Sequence, residues 1–287
     1  MGLFNRLKMG VVLTKDSVLV IRHNPRLILF PIVSGVAGIV FLALFLGITF
    51  GLAQFDPEGG MIVGLFLAYL ALTFVSSFFT AGLVHQTREV LAGGDSSLKA
   101  GLSAAWERKL PLLIWSLIAA TIGVIINGLE NADSRVAQVV GVLFSVAWTL
   151  MTFFIIPVIV FERTSTVGMF KESARKFKQT YGETPVSLVG IQLISFVIAL
   201  PVFLVGFVFF TVDLVFLAVG FILLGAAVSF IVSQTLSGVV KTALYFYAEE
   251  GKKPEEFDNV DFDNLSEEQD RGRGFGAGGQ QTRGGFH

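Results

Sequence analysis

The residues of this chain that could do chemistry are few and scattered. Three histidines, His23, His85 and His287, are widely separated in sequence, and no two of them stand in a metal-binding spacing such as H-x-x-x-H. There is no cysteine, which excludes disulfides, thiolate metal sites and cysteine nucleophiles. No G-x-S-x-G surrounds any serine, so a Ser-His-Asp hydrolase has no anchor here. Gly93-Gly94-Asp95-Ser96-Ser97 lacks the Gly-Lys-Ser/Thr ending of a phosphate loop and reads instead as a turn leading into a capped helix. The sequence therefore implies no catalytic residue, no metal site and no cofactor, and the chain is not expected to be an enzyme.

The remaining polar residues with functional potential lie inside apolar stretches. Asn127, Gln192 and Gln234 are amides that hydrocarbon would leave without partners, so each must meet another helix or line a cavity. Pro157 and Pro201 each remove an N–H from a helix and should kink it, and a kink can open a cavity. These five residues are the candidate cavity lining. Gly47-x-x-x-Gly51 is a small-residue pair expected to pack one helix closely on another.

The elements that carry these residues follow from charge. The chain has 287 residues, of which 53% are hydrophobic and only 15% charged, against roughly 25% charged in a soluble domain. Six stretches, 27–55, 59–87, 110–129, 136–161, 184–212 and 214–240, contain no charged residue. Crossing a bilayer core takes about 20 helical residues, so each stretch crosses once. Lipid offers open backbone no partner, so the spans must be helical. No ionisable group sits inside any span, which disfavours carboxylate proton relays and charged-solute pathways. The first span is too long for a signal peptide and lacks a small-residue cleavage site, so it is expected to be retained.

Orientation follows from the basic residues. Of the 21 Lys and Arg residues, all but Arg135 fall on the side of the termini and of the connections 85–109 and 161–183. That side should be cytoplasmic. The opposite connections are short and mildly acidic, with Asp56, Glu58, Glu130, Asp133 and Asp213.

The cytoplasmic segments have helical periodicity. Phe4, Leu7, Val11, Thr14, Val18 and Ile21 form one face, with Lys8, Lys15 and Arg22 on another. Leu98, Leu102, Ala105 and Trp106 follow an N-cap at Asp95-Ser96-Ser97. Phe170, Ala174, Phe177 and Tyr181 face away from Lys171, Arg175 and Lys178. Trp106 and Tyr181 suit the headgroup level. Pro25, Pro111 and Pro185 then stand at the mouths of spans, which suggests a threefold repeat of surface helix, proline and two-span hairpin.

Residues 1–250 thus form an all-α polytopic membrane domain of six transmembrane helices with cytoplasmic amphipathic helices. Residues 251–287 differ. An acidic stretch is followed by an Arg/Gly-rich end, and neither can bury enough apolar surface to offset ordering entropy, so a disordered cytoplasmic tail is expected. Three arginines beside an acidic stretch do not make a nucleic-acid-binding segment, and no nucleic acid is expected as a partner.

The strings SSLKAGLSAAWERKLPLLIWSLIAAT (96–121), FFIIPVIVFE (153–162), ARKFKQTYGE (174–183) and TALYFYAEEG (242–251) resemble an uncharacterised family of prokaryotic, largely archaeal, six-span membrane proteins defined as a domain of unknown function. More distantly, the plan of surface helix and hairpin resembles the membrane domain attached to some glycerophosphodiester phosphodiesterases, whose catalytic domain has no counterpart here. The resemblance implies the topology and supplies no functional residue. The function expected is non-enzymatic membrane organisation, or binding of membrane lipids or of a protein partner through the cytoplasmic helices or tail. The alternative is a transporter or channel for a small uncharged or lipidic solute. A wide polar cavity would favour transport, and spans packed solid would favour the organiser.

Overall fold

The computed structural model describes residues 3–180 and 184–250, with side chains from Leu13 to Thr180 and from Gly190 to Glu249. Tyr181 and the tail 251–287 lie outside the described residues, as do the side chains of Phe4, Leu7 and Val11.

The described chain is helical throughout and contains no strand. Helix α1 (Leu3–His23) is followed by a short 3-10 turn at Pro25–Ile28 and then by α2 (Leu29–Phe55) and α3 (Pro57–Leu91). Next come α4 (Leu98–Glu107), α5 (Lys109–Glu130), α6 (Arg135–Met151), α7 (Ile155–Phe161), α8 (Thr166–Gln179), α9 (Thr184–Thr211) and α10 (Val215–Glu250). Six segments are long and apolar enough to cross a membrane: Pro25–Phe55, Pro57–Leu91, Lys109–Glu130, Arg135–Phe161, Gly190–Thr211 and Val215–Glu249. They coincide with the six charge-free stretches, and the protein is a multi-pass membrane protein.

Local chemistry sets the joints. Asp56 caps α3 by accepting from the Gly59 N–H at 3.1 Å, and Pro57 takes the first helical position, where its missing donor costs nothing. Gly93 turns the chain after α3 at φ +81, a conformation that favours glycine. Ser97 then caps α4, its hydroxyl accepting from the Ala100 N–H at 3.4 Å. The Gly93–Ser97 string is therefore the turn and cap expected.

Helices α2 and α3 touch backbone to backbone, but not through the small-residue pair picked out above. A Cβ on Gly60 would lie 2.5 Å from the Leu52 carbonyl oxygen, and one on Gly64 would lie 2.7 Å from Thr49 Cα. At Gly47 and Gly51 a Cβ would meet nothing within 4 Å. Those two glycines lie on a face of α2 that no other described helix covers.

The buried core gathers at one end of the bundle, where α1, α4 and α8 sit against the span ends. Leu13 and Val20 of α1, Ala105 of α4 and Met169 and Phe177 of α8 join Phe30, Leu83, Leu112, Phe154, Val158 and Tyr245 in it. Lys15, Arg22, Lys99, Arg108, Lys109, Lys171, Arg175 and Lys178 lie at this same end, the basic end. The opposite halves of the spans expose most of their Val, Leu, Ile and Phe side chains, as a lipid-facing surface does.

The fourth span is interrupted. Helix α6 stops at Met151, residues 152–154 form a turn, and α7 begins at Ile155. Pro157 lies in the first turn of α7, where a helix can dispense with an N–H. The kink expected at Pro157 is thus a break placed three residues before it. A break exposes backbone groups that must be satisfied, and α8 supplies the partner. Ser173 accepts from the Phe154 N–H at 3.1 Å and donates to the Met151 carbonyl at 2.7 Å.

Helix α8 is rotated from its expected setting. Met169, Ser173, Lys176, Phe177 and Thr180 are buried, while Ala174 is only half-buried. Phe170 sits at the edge of that face, with its ring centroid 6.0 Å from Trp115 and 5.8 Å from Trp148. The rotation has a cause. The break and the carboxylates at the basic end call for a hydroxyl and a cation, which a purely apolar face would not provide.

Candidate functional site

Helix α10 carries Ser229, Ser233 and Ser237 at intervals of four, which sets their hydroxyls along one side of the helix. That side meets α9 across a gap. Ile191, Gln192, Phe196 and Phe203 come from α9, and the serines and Gln234 come from α10. Together they enclose a cleft of about 620 Å³. Phe196 and Phe203 stack at 6.4 Å to form one wall. A Cβ on Gly225 would lie 2.8 Å from the Phe203 ring, so the missing side chain there lets the ring fold over α10.

The cleft is open sideways, because Gln192, Phe196, Ala226 and Phe230 are exposed. Gln192 Nε2 donates to Ser233 Oγ at 3.4 Å, a long bond that ties α9 to α10. Gln234 makes no hydrogen bond with another described residue. An amide left so in hydrocarbon costs about 1–3 kcal/mol, which a ligand hydroxyl or carbonyl would offset. Phe230 and Gln234 also border a narrow gap between α2, α3 and α10 that reaches Ser34, Ser76 and Thr80 and holds about 10 Å³, about the room one water needs.

A second space of about 650 Å³ lies between the stretch of α3 from Ile62 to Tyr69 and the stretch of α5 from Gly123 to Asn127. Its walls are apolar except for the Tyr69 hydroxyl and the Asn127 amide. Gly123 admits Tyr69, whose hydroxyl would lie 2.6 Å from a Cβ at that position.

The five residues singled out from the sequence therefore divide. Gln192 and Gln234 line one cleft, and Asn127 lines the other space. Pro157 is buried in α7, and Pro201 is exposed on α9; neither borders either space. The serine stripe was not picked out, although its four-residue interval stands in the sequence.

The basic end holds a second polar arrangement that sequence reasoning missed. Lys176 of α8 is 1% exposed and forms ion pairs with Glu162, just past α7, at 3.8 Å and with Glu249 in the last turn of α10. Its Nζ lies 4.7 Å from the centre of the Tyr245 ring, and the Tyr245 hydroxyl donates to Glu162 at 2.8 Å. Burial pushes the Lys176 ammonium below its ordinary pKa, and the Glu162 carboxylate opposes that shift. Arg88 of α3 stands over Phe161 at 5.3 Å and over Phe246 at 5.2 Å. Four helices are joined here by charges and rings. The signal was a lysine at an interval of three after Ser173, on the face that also carries Met169 and Thr180.

Neither arrangement carries a metal-binding set, since no group of three or more His, Cys, Asp or Glu side chains comes together among the described residues. The cleft lining consists of amides, hydroxyls and apolar groups, with no titratable side chain. Residues 59–255 match a family of unknown function, DUF6159. The chain belongs to that family. The match takes in α3 to α10 and so both the cleft and the charged cluster, whereas α1 and α2 precede it. No curated protein and no solved structure matches the chain.

Proposed function

We propose that this protein binds a membrane lipid with an uncharged headgroup in the cleft between α9 and α10, and that it organises its membrane by binding and not by catalysis. The observation that carries this reading is the cleft lining. Gln192, Ser229, Ser233, Gln234 and Ser237 place hydrogen-bonding groups inside helices that are otherwise apolar, beside a wall of phenylalanines that suits an acyl or isoprenoid chain. The side opening lets such a molecule enter from the bilayer without crossing water. An uncharged headgroup is favoured because no cation or carboxylate lines the space. The basic end is assigned to the cytoplasm by the distribution of Lys and Arg, and its exposed lysines and arginines suit anionic headgroups or a protein partner, each contributing about 1 kcal/mol near a charged surface.

The test is purification of the intact protein in native lipid, followed by mass spectrometry of what remains bound. Enrichment of a neutral lipid over the bulk membrane, lost in Gln192→Leu with Gln234→Leu, supports the reading. A lipid profile equal to the bulk, unchanged by the substitutions, overturns it. Transport of a small uncharged or lipidic solute is the second reading. The observation that favours it is the gap behind Phe230 and Gln234, which continues from the cleft toward Ser34 and Ser76. Phe230→Ala would raise flux across liposomes if the protein carries a solute, and would leave it at background if the protein only binds.

A further inference from the structure

Helix α8 presents two faces of opposite use. Ser173 and Lys176 point into the protein, and Lys171, Arg175 and Lys178 form an exposed stripe on the other side. Arg175 is paired with Glu172 at 2.5 Å. Lys171 and Lys178 have no carboxylate partner among the described residues. Val167, one turn before Lys171 on the same stripe, is 78% exposed. The stripe therefore offers positive charge beside an apolar contact.

What fits it is encoded a few residues past the last helix. Residues 255–270 contain eight Asp or Glu and no Lys or Arg, with Phe257, Val260, Phe262 and Leu265 interspersed. The Lys176–Glu249 ion pair fastens the end of α10 to α8, so the chain leaves the bundle at the edge of that helix. Six extended residues from Glu249 reach up to about 20 Å, and the stripe from Lys171 to Lys178 is about 10 Å long. A short tether of this kind holds the acidic segment at an effective concentration in the millimolar range. We infer that residues 255–270 dock on the Lys171–Arg175–Lys178 face of α8 and shield it from anionic partners. The inference depends neither on the cleft nor on its ligand. It gives the protein a built-in competitor, because anything acidic that uses this face must first displace the chain's own segment.

The intact protein in nanodiscs of neutral phosphatidylcholine tests it. A zero-length carbodiimide crosslinker should join Lys171 or Lys178 to carboxylates in 255–270, and peptide mapping should locate the bonds. The yield should fall several-fold in about 0.5 M NaCl, where screening shortens to a few ångströms. A spin label on Ser266→Cys should be restricted in the otherwise native chain and become mobile in Lys171→Gln with Lys178→Gln, both exposed positions that leave the core intact. Crosslinks confined to Lys252 and Lys253, or a label equally mobile in both proteins, would overturn the inference and leave the face to other partners.

Discussion

The Ser173 hydroxyl donates to the Met151 carbonyl at 2.7 Å while accepting from the N–H of Phe154, so one surface-helix side chain fills the gap in the fourth span. Ser173 is fully buried, which makes it costly to remove. Ser173→Ala leaves the buried Phe154 N–H without its acceptor, at about 1–3 kcal/mol, and takes the hydroxyl from the part-buried Met151 carbonyl. The expected result is a thermal unfolding midpoint several degrees lower in detergent. Ser173→Thr keeps the hydroxyl and should lose less. Trp148 lies one turn before the break and reports the change by fluorescence. Equal midpoints for the alanine and threonine variants would deny the serine this role.

The Lys176 cluster should respond unequally to removal of its two signs. Lys176→Met takes away a buried cation and leaves Glu162 and Glu249, both still in reach of water. Glu162→Gln with Glu249→Gln leaves the ammonium buried without an anion, and stranding a buried charge costs about 3–5 kcal/mol. The double amide variant should therefore unfold at lower temperature than the methionine variant. The reverse order would show that Lys176 is solvated.

Glycine positions in the first hairpin give a paired test. Gly60→Leu and Gly64→Leu force α2 and α3 apart, with an overpacking cost of about 1–3 kcal/mol or more, and should lower the yield of folded protein. Gly47→Leu and Gly51→Leu add a side chain in open space and should be tolerated. Size-exclusion profiles of the four variants decide this. A loss of monodispersity confined to the Gly47 and Gly51 variants would contradict the hairpin geometry.

Membrane orientation can be read with single thiols, because the native chain has no cysteine. A cysteine replacing Ser97 should be inaccessible to an impermeant maleimide in intact cells and become labelled after permeabilisation. One replacing Asn131 should be labelled from outside. External labelling at position 97 would reverse the assignment.

The six spans were legible because a charge inside hydrocarbon costs a few kcal/mol, so runs free of Asp, Glu, Lys and Arg mark them directly. Joints governed by short-range rules were legible too: the turn at Gly93 and the cap at Ser97 are written in adjacent residues. Ser173 was not, since its partner lies 19 residues away and nothing local announces a broken span. Lys176 escaped for a related reason. An apolar period placed Phe170, Ala174 and Phe177 inward, while the carboxylates that hold Lys176 come from other helices. Gly47-x-x-x-Gly51 shows the same limit in reverse. Its pattern matches a packing motif, but the glycines that pack are Gly60 and Gly64, and only the crossing of the two helices separates the pairs. Gln192 and Gln234 were recognisable as polar residues in apolar spans. That they share a cleft depends on how α9 crosses α10.

The joining of Tyr245 to Glu162 also sets an order in time. The two residues are separated by 83 positions, and ribosomes add roughly 5–20 residues per second. For several seconds of synthesis, Glu162 has left the ribosome with neither Tyr245 nor Glu249 beside it, and α8 has no finished helix bundle to close against. Ser173 can close on the broken fourth span as soon as α8 emerges, while Lys176 waits for its second carboxylate. The Lys176 cluster is therefore completed last, and a chain stalled before α10 would leave Lys176 without Glu249 and Glu162 without the Tyr245 hydroxyl, a defect open to quality-control proteases.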